Sequence, residues 1–529
     1  EKGNFYFFKT KSKKLKTHQL LEEFLPILLQ KIQWKKSMCW GNFDLNWGRP
    51  LKSILAIFDK KKLNFDFHHL KSSNSTFVDK EFEENEKIFT DFKGYKKFFK
   101  SLDIIIDHDE RRNLIEKKFD KILKNKNIKI DHNPKLLDEV VNLTDEPNVI
   151  FCEFDKKFLN IPKEILIITM QYHQKYFPTF DQMGNITNEF LVVANKKDKK
   201  GFIKVGNERV VDARLSDAEF FWKKDKSQNM VKKVTNLKSM NYFKGLGTYF
   251  DKAQRMRKLG GMISDELLIS KEKVELSASI CKVDLLSETV GEFPELQGIM
   301  GGYYAIEQGF DKDLALALSE QYLPIGSDSK IPKKPFSIAL SLADKIDTLV
   351  GFFGLNQKPT SSKDPFALKR LALGIIRITV ENKKDFKIID LINYSSNLYY
   401  NQGFKFENQF LQKELSDFIM ERLKYFMREE NIRNDIVQSA TTSFNLDQSV
   451  VIFNKAKNLN KIISKQEGID IISSYKRASN ILDAEIKNDK IELSNTTDPG
   501  IFKTELEKKL FKRINELQKY FSGLNKDEN

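Results

Sequence analysis

Two kinds of side-chain constellation in this sequence have the types and spacing for work on phosphates. One is paired acids that could hold a divalent cation; the other is arginines and lysines spaced to meet successive phosphates of a polyanion. His108 and Asp109 form a His-Asp dipeptide of the sort metal phosphohydrolases use, and Asp344 and Asp347 stand three apart in SLADKIDTLVGFF. A metal centre of that type needs further neutral imidazoles around the ion. The six histidines are His18, His68, His69, His108, His132 and His173, so any histidine-dependent mechanism is confined to the N-terminal third. His68 and His69 are adjacent and point apart in a strand or about 100° apart on a helix, which does not make a ligand pair. The His108-Asp109 dipeptide also fits a surface helix N-terminus with acids at its positive end. Asp344 and Asp347 share one helix face, opposite an apolar side of Leu342, Ile346, Leu349 and Val350. That pattern predicts solvated carboxylates, or acids paired to nearby lysines.

The cationic candidates are more informative. In KPTSSKDPFALKRLALGIIRI, Asp364 is placed to cap a helix with Pro365 in its first turn, and Leu368, Leu371, Ala372, Ile375 and Ile376 form its apolar side. Arg370 and Arg377 lie seven apart along one stripe, with Lys369 beside them and Lys363 at the entry. Such a stripe can meet successive phosphates, arginine giving bidentate contacts. Salt bridges to acids such as Glu381 fit the same spacing. In YKRASNIL, Lys476, Arg477 and Asn480 fall within about one helical turn and also suit RNA. Phe220, Phe221 and Trp222 in SDAEFFWKKD are read as packing residues, with stacking on bases the alternative.

Other catalytic templates are missing: there is no Walker loop, GxGxxG, HExxH or GxSxG. Cys39, Cys152 and Cys281 lack a CxxC spacing, which indicates neither a disulfide framework nor a zinc site and fits a reducing compartment. No apolar run approaches the roughly 20 residues that span a bilayer, and EKGNFYFFKTKSKK at the N-terminus has no signal-peptide core, so the expected setting is cytoplasmic, with no membrane partner. The net charge of +15 favours a polyanionic partner, although the few arginines and many Lys, Asn, Ile and Phe residues match an AT-rich genome as well.

The elements that must position these residues follow from periodicity. Leu20, Leu21, Phe24, Ile27, Leu28 and Ile32 lie on one stripe of an opening helix that should pack on a neighbour. Residues 40 to 135 read as mixed α/β, with a charged helix carrying Leu114, Phe119, Ile122 and Leu123 on one face and a solvated basic face opposite. From 140 to 250 short strands and turns are expected, with a hairpin at DQMGN between Tyr176–Phe180 and Phe190–Val193. Residues 210 to 425 read as helical. A last unit ends in a helix whose stripe of Leu506, Leu510, Ile514, Leu517 and Phe521 is capped by Gly523. The fold class is α+β, mostly helical, and multidomain.

Nine collinear strings then carry a resemblance: MCWG at 38–41, MQYHQKYFPTF at 170–180, FLVVAN at 190–195, GNERVVDARLSDAEFFW at 206–222, CKVDLLSETVGEFPELQGIMGGYYA at 281–305, SEQYLP at 319–324, LADKIDTLVGFFG at 342–354, KPTSSKDPFALKRLALGIIRI at 358–378 and YKRASNIL at 475–482. Together they resemble the β subunit of the bacterial heterotetrameric glycyl-tRNA synthetases. The resemblance implies an α2β2-type enzyme whose α subunit holds the class II centre for ATP, Mg and glycine, while the β subunit grips tRNA(Gly) and has no catalytic or metal-binding residue and no cofactor of its own. It implies an α/β tRNA-contacting region at 1–140, a β-containing body module at 141–255, an HD-like helical domain at 256–405 and a DALR-like anticodon-binding domain at 406–529. Lys363, Lys369, Arg370, Arg377, Lys476, Arg477 and Asn480 become the tRNA-binding candidates.

Three departures accompany it. Cys39 stands where the family usually has Arg; NSTFVDKEF at 74–82 lacks the family's Gly-His-Arg-Phe string; and the chain is expected to lack the family's N-terminal segment and its last anticodon-domain helices. The rival readings are an HD-type metal phosphohydrolase and an inert helical scaffold that binds proteins.

Overall fold

The structure, a computed structural model, describes residues 16–80, 83–131, 133–442, 444–489 and 497–527; His132 lies outside them. The chain forms two compact units, each assembled from separated stretches: 1–240 with 280–319, and 241–279 with 320–529. No described helix is long and apolar enough to cross a membrane.

In the first unit a four-stranded antiparallel sheet runs in the order Lys129–Ile130, Phe177–Phe180, Ile186–Ala194, Asn148–Glu153. The expected hairpin is present: Phe180 pairs with Ile186 across a turn in which the Asp181 carboxylate accepts from the backbone N–H groups of Met183 and Asn185 at 2.9 and 2.8 Å. Gly184 has φ +88°, a conformation that glycine adopts without strain. Phe177 and Leu191 from this sheet pack with Ile115 and Phe119 of the His108–Lys126 helix and with Leu136, Val140 and Val141 of the Pro134–Leu143 helix. Of the face expected on the charged helix, Phe119 is buried, Ile122 and Leu123 pack at the edge of this core, and Leu114 lies outside it.

The opening helix, Thr17–Gln30, corrects the sequence reading. Leu21, Leu25 and Leu29 pack against a core of Leu45, Leu63, Phe65 and Phe67. Phe24, Ile27 and Leu28 face outward instead, Phe24 59% and Leu28 61% exposed, and Ile32 beyond the helix is exposed too. The helix is apolar around most of its circumference, so periodicity alone does not choose which stripe turns inward.

A 25-residue helix, Phe202–Lys226, begins inside the stretch expected to hold short strands. Trp222 on it is buried and stacks on Tyr304 with ring centroids 5.5 Å apart, whereas Phe220 is exposed. Near its end the buried Asp225 carboxylate accepts from the Glu288 and Thr289 N–H groups and from the Thr289 and Tyr304 hydroxyls. Asp225 thus takes the first two N-terminal donors of the short Glu288–Glu292 helix, and the Ser287 hydroxyl caps the next, Val290 N–H, at 3.1 Å.

The second unit is helical apart from a two-stranded antiparallel pair, Asn241–Phe243 with Gly247–Thr248. Its central helix, Pro335–Gly354, is buried continuously from Ser337 to Gly354 and is flanked by the helices Tyr249–Leu267, Leu368–Glu381, Ile388–Asn401 and Leu411–Glu429. The helices Gln466–Asp489 and Glu505–Asp527 follow near the C-terminal end. The last one continues through Gly523 rather than stopping there, and Leu506, Leu510, Ile514 and Leu517 are all exposed, Leu506 at 77%.

Candidate nucleic-acid interface

Asp344 and Asp347 are neither solvated nor open to an ion. They lie on the central helix and are buried against two cations of the Tyr249–Leu267 helix. Lys252 Nζ sits 3.1 Å from Asp347 Oδ2 and 3.4 Å from Asp344 Oδ1, and donates to Thr348 Oγ1 at 2.8 Å. Arg255 binds Asp347 with both arms of its fork, Nε to Oδ1 at 2.6 Å and Nη2 to Oδ2 at 3.3 Å. Its remaining donors reach the Tyr399 hydroxyl at 3.1 Å and Gln402 Oε1 at 2.7 Å, and the guanidinium carbon stands 3.7 Å from the centre of the Tyr399 ring. Burial alone would push the Asp347 carboxyl up; Arg255 and Lys252 outweigh it and hold the group below its ordinary value. Two cations and two carboxylates cancel, and ammonium and guanidinium groups take up the oxygens a metal would need. The arrangement is a clamp joining three helices, not a metal centre.

His108 stands at an exposed helix N-terminus. Asp107, His108 and Asp109 are grouped but fully exposed, and Asp107 Oδ1 accepts from the N–H groups of Asp109 and Glu110 as an ordinary helix N-cap. Burial is the opposing influence on Asp107; hydrogen bonding from Glu110 is the larger one and draws its carboxyl below the usual value. His69 stacks face to face on Phe43 at 3.7 Å and stands edge-on to Trp40 at 5.8 Å.

The cationic candidates divide into exposed and engaged groups. The helix bearing them begins at Leu368, not at Pro365: Ala367 takes φ +56° and interrupts the chain, and the Asp364 carboxylate reaches past it to accept from Leu368 N and Lys369 N at 2.8 and 3.0 Å. Arg370 and Lys363 are exposed. Lys369 is turned back on its own loop, donating to the Thr360 and Ser361 carbonyls at 2.6 and 3.1 Å. Arg377, only 9% exposed, donates to Glu381 Oε1 at 2.6 Å and to the Gly326 carbonyl at 2.9 Å. The seven-residue repeat therefore does not give two free phosphate forks: the Glu381 reading describes Arg377, and Arg370 alone points to solvent. Lys476, Arg477 and Asn480 are exposed on the Gln466–Asp489 helix.

Lys252 and Arg255, in DKAQRMRK, escaped sequence reasoning because their acid partners lie more than ninety residues away in the chain. The one signal in the sequence is that Lys252 and Arg255 stand three apart, on one face of a helix. Arg422 was also missed: its Nε is buried without a hydrogen-bond partner and its guanidinium lies beside the Phe418 and Tyr425 rings. It lines an open groove with Lys358 and Lys369, but Glu414, Asp417 and Glu421 line it as well and cancel the three cations, leaving no net attraction for a phosphate.

Comparison with known proteins agrees with the nine strings. A family described as "Glycyl-tRNA synthetase beta subunit" matches residues 1–442. The glycine–tRNA ligase β subunit of Rickettsia canadensis (strain McKiel) is 34% identical over 509 residues, covering 96% of this chain and 74% of the relative. That of Rickettsia conorii (strain ATCC VR-613 / Malish 7) is 35% identical over 515 residues, covering 97% and 74%. With matches of this extent in both directions, the chain belongs to the glycyl-tRNA synthetase β-subunit family, among the aminoacyl-tRNA synthetases.

Proposed function

We propose that this chain grips tRNA(Gly) and presents its acceptor end to an active site carried by an α subunit, in an α2β2-type assembly where ATP, Mg and glycine are handled by that partner. The observation that carries the reading is the family match over 442 residues, joined to exposed cations at Arg370, Lys476 and Arg477. The chain's contribution to the reaction is proximity and orientation: fixing the terminal ribose against an activated glycine removes much of the entropic barrier to transfer. Asp344 and Asp347 are neutralised by Lys252 and Arg255 and do not fit a Mg ion, which is in keeping with ATP and Mg residing on the partner. In this reading residues 1–140 and 141–255 contact the tRNA and form the body, 256–405 is the HD-like part, and 406–529 belongs to the anticodon-binding part.

The test is co-purification with the cognate α subunit followed by glycine-dependent charging of tRNA. Charging should require both subunits, and this chain alone should bind tRNA with an affinity that falls steeply with salt. Full glycylation by the isolated chain, or salt-independent association, would overturn the division of labour.

A further inference from the structure

The segment 91–117 in the first unit builds a cleft whose chemistry suits a nucleotide. The Phe92–Ser101 helix is capped by Asp91, whose carboxylate accepts from Gly94 N at 2.7 Å. Its aromatic side, Tyr95, Phe98 and Phe99, packs on Phe89 with ring centroids 5.0, 5.5 and 6.4 Å away, so Lys93, Lys97 and Lys100 are left in solvent. The chain then passes through Ile104, Ile105 and Ile106, whose backbone is fixed because Arg111 Nη1 donates to the Ile105 and Ile106 carbonyls at 2.7 and 3.0 Å. The His108–Lys126 helix follows and turns Asn113, Leu114 and Lys117 toward the same space. The result is a cleft of about 390 Å³, within the roughly 300–1,000 Å³ of ordinary ligand sites.

The charge around it is unbalanced. Glu110 is the acid lining the cleft, and it is matched by Lys96 at 2.5 Å. Lys100 and Lys117 also line it, and among the described residues neither has an acid within ion-pair distance. An apolar floor beside two unmatched ammonium groups fits a ligand with a flat weakly polar body and an attached phosphate. Asn113, with one amide donor group and one acceptor, lies where it can meet the edge of such a body.

We propose that this cleft receives one unstacked nucleotide of the bound tRNA, its base against Ile104, Ile105, Ile106 and Leu114 and its phosphate on Lys100 and Lys117. The inference rests on the reading of the chain as tRNA-binding. RNA is favoured over an acidic peptide because an apolar floor beside two cations accepts a base together with its phosphate, whereas an acidic peptide would set carboxylates against that floor.

The experiment measures tRNA binding by the full chain across a salt series, with Lys100→Ala/Lys117→Ala compared against Lys93→Ala/Lys97→Ala, which removes the same charge outside the cleft. The cleft pair should lose on the order of tenfold in affinity and flatten the log–log salt slope by about 0.7, the value for one phosphate of a single strand. The control pair should lose under about threefold, since its lysines act only through a screened field. Asn113→Ala should weaken binding without altering the slope. All five side chains concerned are exposed, so melting temperatures should stay at the wild-type value and report intact folding. Equal losses from the two pairs, or no loss from the cleft pair, overturn the site while leaving the tRNA-binding reading standing. Intact tRNA affinity with weakened α-subunit binding also overturns it and gives the cleft to a protein. A wild-type chain that does not bind tRNA at all removes both readings.

Discussion

Arg255 Nε lies 2.6 Å from Asp347 Oδ1, and both side chains are sealed from solvent. A buried ion pair is costly to form, and breaking it by removing one partner is worse, because the other charge then stays buried and alone. Arg255→Ala should therefore lower stability by about 3–5 kcal/mol, read as a large fall in the melting temperature of the second unit. Replacing both members, Arg255→Met with Asp347→Leu, should cost less than the single change. The pair should also resist acid. Asp347 is held below its ordinary value, so its contribution is present above the unfolded carboxylate value and disappears only as pH falls through the lower folded one. A clamp already lost at pH 5 would contradict this.

Gly351 supports the same cluster from the central helix. A Cβ there would collide with the Tyr399 hydroxyl and come within 3.0 Å of Leu246 Cδ1. Alanine is the better helix former, yet Gly351→Ala should destabilise by about 1–3 kcal/mol, since overpacking here displaces a partner of Arg255 and Asp347. Denaturant titration monitored by tyrosine fluorescence should report it; a stabilised variant would show the hydroxyl is free to move.

Asp284 behaves in the opposite sense to Asp347. Burial pushes its carboxyl up to about 6, with Gly298 N–H donating to Oδ2 and no hydrogen-bond partner for Oδ1. A raised carboxyl favours the folded state below its unfolded value near 3.8, and that contribution is lost as pH climbs through about 6. Asp284→Asn removes this dependence. Relative to wild type, the variant should gain on the order of 3 kcal/mol between pH 4 and pH 7. Parallel pH profiles for the two proteins would rule the effect out.

Arg370 and Arg377 should separate experimentally. Arg377→Ala breaks contacts to Glu381 and the Gly326 carbonyl and should cost about 1–3 kcal/mol of stability. Arg370→Glu should leave the melting temperature near wild type and weaken tRNA binding several-fold at low salt. Identical behaviour of the two variants would mean that exposure does not distinguish them.

Much of this molecule was legible in its residues, and the gaps have physical causes. The hairpin at Asp181–Asn185 and the all-helical character around Pro335–Gly354 follow from local turn chemistry and unbroken periodicity. The carboxylate of Asp364 was recognised as a cap, but the start of its helix depends on Ala367 adopting φ +56°, which no side-chain pattern announces. Asp344 and Asp347 share a face as read, and one partner is a lysine, yet the pair is buried because Lys252 and Arg255 arrive from a different helix. Periodicity reports which residues travel together and is silent on what meets them. For the same reason Lys117 reads as part of a solvated face until Lys100 and the Ile104–Ile106 segment are seen beside it.

The interleaving of the two units sets an order in time. On the ribosome, Asp225 emerges 63 residues ahead of Glu288, an interval of roughly 3–13 s at typical rates of translation. Throughout it the carboxylate has water in place of the Thr289 and Tyr304 hydroxyls, and by its end 241–279 has been made while its companions from 320 onward have not. The first unit is completed only after 241–279 has been made and the second only after 280–319, so the Asp225 end of the long helix and the Lys252–Arg255 face each wait for partners still to be synthesised.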